Sequence, residues 1–136
     1  MNEWIGAAGV CMNAEGQLLM ILQGKPDEEK RWSVPSGGQE QGETLADCCI
    51  REVFEETGYR CKVIQELQGK AGAFGPIAYY VTYFEVEIVG GEPTLQDPDG
   101  LIHEIAWKTA TQLEELPLAF PEDRAFLLRY IAQKES

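Results

Sequence analysis

Gly37-Gly38-Gln39-Glu40-Gln41-Gly42-Glu43-Thr44-Leu45-Ala46-Asp47-Cys48-Cys49-Ile50-Arg51-Glu52-Val53-Phe54-Glu55-Glu56-Thr57-Gly58-Tyr59 is the stretch whose reading decides the fold. Its second half reads as one helix. Thr44 suits an N-cap, and Asp47 three residues on gives a weak capping-box pattern. Leu45, Ala46, Cys49, Ile50 and Val53 recur at helical spacing and give the helix a face for a core. Gly58 stands where a C′ glycine closes a helix. Glu52, Glu55 and Glu56 run against this logic. They are spaced i, i+3, i+4, so they crowd one surface, and they sit in the last turns, where the helix dipole favours cations. Each conflict costs roughly a few tenths of a kcal/mol.

A hard cation resolves it. Mg²⁺ takes oxygen ligands, usually one or two carboxylates together with waters and substrate phosphates. Three glutamates on one helical surface supply carboxylates. The preceding Pro35-Ser36-Gly37-Gly38 lets backbone atoms approach a ligand closely. Arg51 carries a planar fork of donors suited to fixing a carboxylate. The bland alternative is a solvated acidic face, and acids crowded at the wrong dipole end speak against it.

Gly37, five residues, Glu43, seven residues, then Arg51-Glu52-Val53-Phe54-Glu55-Glu56-Thr57-Gly58-Tyr59 resembles the Nudix box of the MutT/Nudix hydrolase superfamily. The one departure is Tyr59, where that family usually has an aliphatic residue. The resemblance implies a mixed β-sheet sandwiched between α-helices, and hydrolysis of a nucleoside diphosphate linked to another group by water attack on phosphorus. It implies Mg²⁺ or Mn²⁺ as cofactor and a small nucleotide as partner. Position by position it implies Glu52, Glu55 and Glu56 as metal ligands, with the Gly37 carbonyl as a further one. Arg51 would orient Glu43 or Glu52, and Glu43 would be a structural partner or lie in the outer metal shell, so Glu43, Arg51, Glu52, Glu55 and Glu56 make up the catalytic set.

At 136 residues the chain reads as one α/β domain, residues 1–136, able to bury a real core. Its net charge of −12 argues against binding nucleic-acid polymers, which calls for a basic patch, and against docking on anionic membranes. No apolar run approaches membrane-spanning length, and the N-terminus lacks a signal-peptide pattern. Cys11, Cys48, Cys49 and Cys61 show no metal or redox spacing; reduced, small apolar or semi-exposed cysteines point to the cytoplasm. A homodimer is left open.

Trp4 to Asn13 and Gln17 to Gln23 read as strands joined by the Asn13–Gly16 turn. Gly24 to Arg31 is a charged loop in which a base such as Arg31 can meet substrate phosphate. Trp32 to Pro35 is short and extended, and Arg60 to Gln68 is a strand. Gly69 to Gly75, rich in glycine and alanine, reads as a mobile loop. Ile77 to Val89 is the longest strand, Gly90 to Gly100 a loop, Leu101 to Trp107 the last strand. Thr109 to Leu116 is a short helix, and Pro121 opens a final one through about Gln133, with Phe126, Leu127, Tyr130 and Ile131 inward.

A further acid is expected as base or ligand, drawn from Glu85, Glu87, Asp99 and Glu104. His103, alone on a strand, reads as structural. Trp32, Phe74, Tyr79 and Tyr80 offer faces on which a base can stack, and Trp32, Arg31 and Phe74 form the expected substrate set. The first functional reading is a nucleoside triphosphate pyrophosphatase. The alternatives are an ADP-ribose or nucleotide-sugar pyrophosphatase, or a catalytically silent ligand sensor of the same fold.

Overall fold

The structure, a computed structural model, describes residues 3–135. The elements run β1 (Glu3–Val10), β2 (Leu18–Gln23), β3 (Arg31–Ser33), β4 (Ser36–Gly38), α1 (Leu45–Thr57), β5 (Tyr59–Phe74), β6 (Ile77–Gly91), β7 (Ile102–Lys108) and α2 (Ala110–Leu113), then a 3₁₀ turn (Pro121–Asp123) leading into α3 (Arg124–Glu135). Two sheets form, where the sequence suggested one. The first is mixed, in the order β4-β1-β6-β5, with β1 and β6 parallel; the second is antiparallel, in the order β3-β2-β7. The Met12–Leu18 bridge and the bond from the Leu19 amide to the Cys11 carbonyl (3.0 Å) couple them.

Both faces of the central strands are covered, as their unbroken apolar runs require. Ala7, Cys11 and Leu19 face α1, where Cys48, Cys49 and Val53 meet them. The alternate residues Ala8, Val10, Leu18 and Met20 pack with Leu127, Tyr130 and Ile131 of α3. The sheets thus lie between α1 and the α2–α3 pair. All four cysteines are free and fully buried, so none is semi-exposed.

Gly69–Gly75 is not a mobile loop. Residues 69–74 continue β5 and pair with β6 from Gly69↔Thr82 to Phe74↔Ile77. Its glycines make room for cross-strand tyrosines: a Cβ on Gly72 would overlap the Tyr79 hydroxyl, and one on Gly69 the Tyr80 hydroxyl. Small residues here serve packing across the hairpin rather than backbone freedom. Tyr59, the departure from the box, meets Trp107 edge-on at 5.8 Å and accepts its indole N–H (3.3 Å).

Candidate active site

Helix α1 is fixed at both ends. The Thr44 hydroxyl accepts the Asp47 amide (3.0 Å), as an N-cap should. At the other end Gly58 takes the left-handed conformation (φ 83°) and its amide bonds to the Phe54 carbonyl (2.8 Å). Thr57, buried, donates to the Val53 carbonyl and accepts the Tyr59 amide. The helix is seated on β1 at Gly9, where a Cβ would come within 2.7 Å of Val53. Its acidic surface therefore faces β4 in a set position.

Arg51 is the hub of that surface. Its Nε and Nη2 hold both oxygens of Glu43 at 2.8 Å, a bidentate fork. Nη1 donates to Glu52 (2.9 Å) and Glu55 (3.3 Å), and Nη2 also reaches the Gly38 carbonyl (2.9 Å). Glu56 turns the other way and accepts the Ser36 amide (2.9 Å). Gly37 lies directly against the Glu52 carboxylate, since any Cβ there would overlap it. The absence of a side chain at residue 37 lets the strand lie against that carboxylate, and the Gly37 carbonyl accepts the Cys48 thiol (3.6 Å).

The ionisations follow from this packing. Hydrogen bonds from Arg51, then from the Glu40 amide, hold Glu43 down at about 2. Arg51 itself is held protonated beyond the ordinary arginine range, mainly by Glu43. Burial pushes Glu52 up against the pull of Arg51, and it pushes Glu56 up to about 9 despite the Ser36 amide. Neighbouring Glu52, Asp97 and Glu55 raise Glu56 further. Such carboxylates call for a cation beside them.

They open into a cleft of about 330 Å³ lined by Glu40, Glu52, Glu55, Glu56, Asp97 and Asp99, with Arg51 as its one basic residue. One arginine cannot neutralise six acids. Among the described residues, Asp97 Oδ1 is the buried side-chain oxygen without a hydrogen-bond partner, an oxygen in want of a ligand. Asp97 Oδ2 accepts the Leu101 amide (2.6 Å), and the segment around it is strapped to the end of α1. The Thr94 amide bonds to the Thr57 carbonyl (2.9 Å), and the Gln96 side chain to the Phe54 carbonyl (2.8 Å). As the side chains stand, no three acidic, histidine or cysteine groups among the described residues converge on one point. Glu52 and Glu55 lean on Arg51, and Glu56 on Ser36. The donor set is nonetheless all hard oxygen, with one oxygen orphaned, and this fits a hard divalent cation.

The structure thus gathers Gly37, Glu43, Arg51, Glu52, Glu55 and Glu56. It brings in Asp99 from the expected further acids and adds Asp97, which sequence reading passed over. Both acids lie in Asp97-Pro98-Asp99-Gly100, and only the strap at Thr94 and Gln96 tells them apart. Glu85 is committed elsewhere: Tyr130, Gln65 and Lys134 all bond to it and outweigh the burial that opposes its ionisation. Glu87 pairs with Lys62 at the surface, and Glu104 is exposed on β7. His103 Nε2 lies 2.9 Å from the Gly24 carbonyl, a structural contact. Of the expected substrate set, Trp32 is buried in the core beneath Lys108. Arg31 pairs with Glu29 beside a separate groove. Phe74 stacks on Tyr79 (4.7 Å) in the wall of an aromatic cavity next to the cleft.

Fold and site together define a class: sheets between helices, with a capped helix that turns glutamates toward a glycine-lined strand. The model of the NUDIX domain matches residues 3–130, and the chain belongs to the Nudix family. A NUDIX hydrolase from Nitrosomonas europaea superposes with a TM-score of 0.85 over 98% of this chain and 91% of that one, at 20% identity, a likeness of fold. The ADP-ribose pyrophosphatase of Bacillus subtilis is 26% identical over 96% of this chain and 74% of its own length. The mouse protein named nucleoside diphosphate-linked moiety X motif 6 is 32% identical over 57% of this chain and 26% of its own. The chain spans between about a quarter and a half of the length of the first curated relatives it matches.

Proposed function

We propose that the chain hydrolyses the phosphoanhydride of nucleoside diphosphate derivatives and depends on Mg²⁺ or Mn²⁺ to do so. The observation that carries this is the cleft itself, six acids around one arginine with the orphaned Asp97 oxygen among them. An anionic substrate enters such a cleft only with cations. Glu52, Glu55, Glu56, Asp97 and the Gly37 carbonyl are the groups that would hold them. Bound metal supplies charge neutralisation and a more acidic water.

The chain's own residues do the rest. Arg51 keeps Glu43, Glu52 and the Gly38 carbonyl in one arrangement. Glu55, more exposed than Glu43 and Glu52 and held by Arg51 at the longer distance of 3.3 Å, is the helix glutamate that can turn toward a water and take its proton. Asp99 stands at the cleft wall as an alternative base. The adjoining aromatic cavity suits a nucleoside, and a nucleoside triphosphate is the first substrate to try.

The test is a panel of nucleoside triphosphates, ADP-ribose and nucleotide sugars assayed for phosphate-containing products. Turnover should require Mg²⁺ or Mn²⁺, vanish with chelator, and fall by orders of magnitude in Glu56→Gln. Metal-dependent binding without turnover anywhere in the panel would make the protein a ligand sensor instead.

A further inference from the structure

The acids of the cleft come from separate parts of the chain. Glu52, Glu55 and Glu56 ride on α1, while Asp97 and Asp99 lie in the segment that precedes β7. Whatever sets the distance between these parts decides how well they act together on one cation. Residues 92–97 form neither helix nor strand, and Leu95, the one large apolar side chain among them, is 60% exposed. Burial of that side chain therefore does not hold the segment, and hydrogen bonds take on the task.

Two bonds tie it to the end of α1. The Thr94 amide donates to the Thr57 carbonyl (2.9 Å), and the Gln96 side-chain amide donates to the Phe54 carbonyl (2.8 Å). The first is a backbone bond, which any residue except proline supplies. The second depends on the Gln96 side chain. The helix itself has no need of it, because the Phe54 carbonyl already accepts the Gly58 amide (2.8 Å) that closes α1. A carbonyl oxygen has two lone pairs, and Gln96 takes the second. The Gln96 bond thus fixes the segment rather than the helix.

What it fixes is its neighbour. On its C-terminal side Asp97 is held by its own turn. Its backbone carbonyl accepts the Gly100 amide (3.2 Å), and Oδ2 accepts the Leu101 (2.6 Å) and Ile102 (3.4 Å) amides where β7 begins. Oδ1 is left buried and without a hydrogen-bond partner. Asp97 is therefore clamped between β7, through Oδ2, and α1, through Gln96. A hard cation shared by Asp97 and the glutamates of α1 needs both segments at ligand distance at once, and Mg²⁺ tolerates little departure from its octahedron.

We propose that Gln96 is a positioning residue: by tying residues 92–97 to α1 it holds Asp97 beside the glutamates and so sets the affinity of the cleft for a divalent cation. That the cleft takes such a cation rests on the function proposed above; the test reads metal binding without turnover. Mn²⁺ alone is titrated into the full chain, and the unbound ion is measured by its EPR signal. Gln96→Met keeps the length of the side chain and removes the donor. Gln96→Asn keeps the amide on a stem one methylene too short. Each should weaken Mn²⁺ binding by about 3–10-fold, the scale of one net hydrogen bond. In an Asp97→Asn background, where the carboxylate that Gln96 positions is gone, Gln96→Met should change the affinity by less than about twofold. A parent-like affinity in Gln96→Met or Gln96→Asn would overturn the proposal. So would an equal loss in both backgrounds, because Gln96 would then act through α1 itself. A lower metal-free melting temperature with unchanged Mn²⁺ affinity would make Gln96 a cap on the helix and nothing more. Gln96→Asn decides by itself if Gln96→Met does not fold. Mn²⁺ binding that follows the expected pattern with no hydrolysis of any substrate sinks the hydrolase reading alone. Metal-dependent hydrolysis with an Mn²⁺ affinity indifferent to Gln96 sinks this proposal alone.

Discussion

At the residue scale, Arg51 shows how one side chain organises charge. Its guanidinium grips both oxygens of Glu43 and at once reaches Glu52 and the Gly38 carbonyl. A lysine ammonium is a point donor on a flexible stem and cannot hold that plane. Arg51→Lys should lower kcat by about 10–100-fold, the usual cost of losing a group that orients metal ligands, with a smaller change in KM. Steady-state kinetics indistinguishable from the parent would remove Arg51 from the site. Glu43 makes a separate, pH-dependent prediction. Its folded value of about 2 lies below the ordinary 4.5, so its pairing stabilises the fold fully above pH 4.5 and loses that contribution as pH falls toward 2. Glu43→Gln should therefore have a lower urea midpoint than the parent at pH 7, and the gap should narrow at pH 3. A gap of constant size would mean that the Glu43 charge contributes nothing.

At the element scale, the position of α1 decides the site, and Gly9 decides the position of α1. The Gly9 amide bonds to the Pro35 carbonyl (2.9 Å), while Val53 and Cys49 press on its open face. Gly9→Ala inserts a methyl against a close-packed helix and should destabilise by about 1–3 kcal/mol. Chemical denaturation measures this. Because the helix carries the glutamates, the loss of activity should exceed what the unfolded fraction explains. Unchanged stability would mean that α1 is free to slide. The β5–β6 hairpin carries a related lesson. Its glycines read as part of a mobile loop in the sequence and turn out to be sockets for tyrosines.

At the scale of the whole molecule, the C-terminal helix closes the side of the sheets opposite the site. Glu85 on β6 is buried, yet it receives bonds from Tyr130 and Lys134 of α3 and Gln65 of β5. Tyr130→Phe removes one donor and leaves a buried carboxylate under-satisfied, at a cost of about 1–3 kcal/mol. Glu85 lies in a different cluster from the acidic cleft, so kcat/KM should stay within about twofold of the parent at a temperature where both are folded. A fall in activity without a fall in melting temperature would tie this cluster to the chemistry.

The sequence by itself determined what is local. Helical periodicity, Thr44 and Gly58 marked α1, because caps and i, i+4 neighbours act within a few residues. Apolar runs placed β1 and β2, a one-sided apolar pattern placed β6, and the box singled out Gly37, Glu43, Arg51 and the three glutamates as the candidate site. Only the tertiary structure decided what depends on distant segments meeting. Two sheets rather than one follow from β2 leaving β1 to pair with β7, about 85 residues away. Glu85, Asp97 and Asp99 are the same kind of acid in sequence. The fold surrounds the first with donors and leaves an oxygen of the second bare beside the glutamates. Lys70 gave no signal of its own, since its partner Asp123 lies 53 residues on and meets it only in the folded chain.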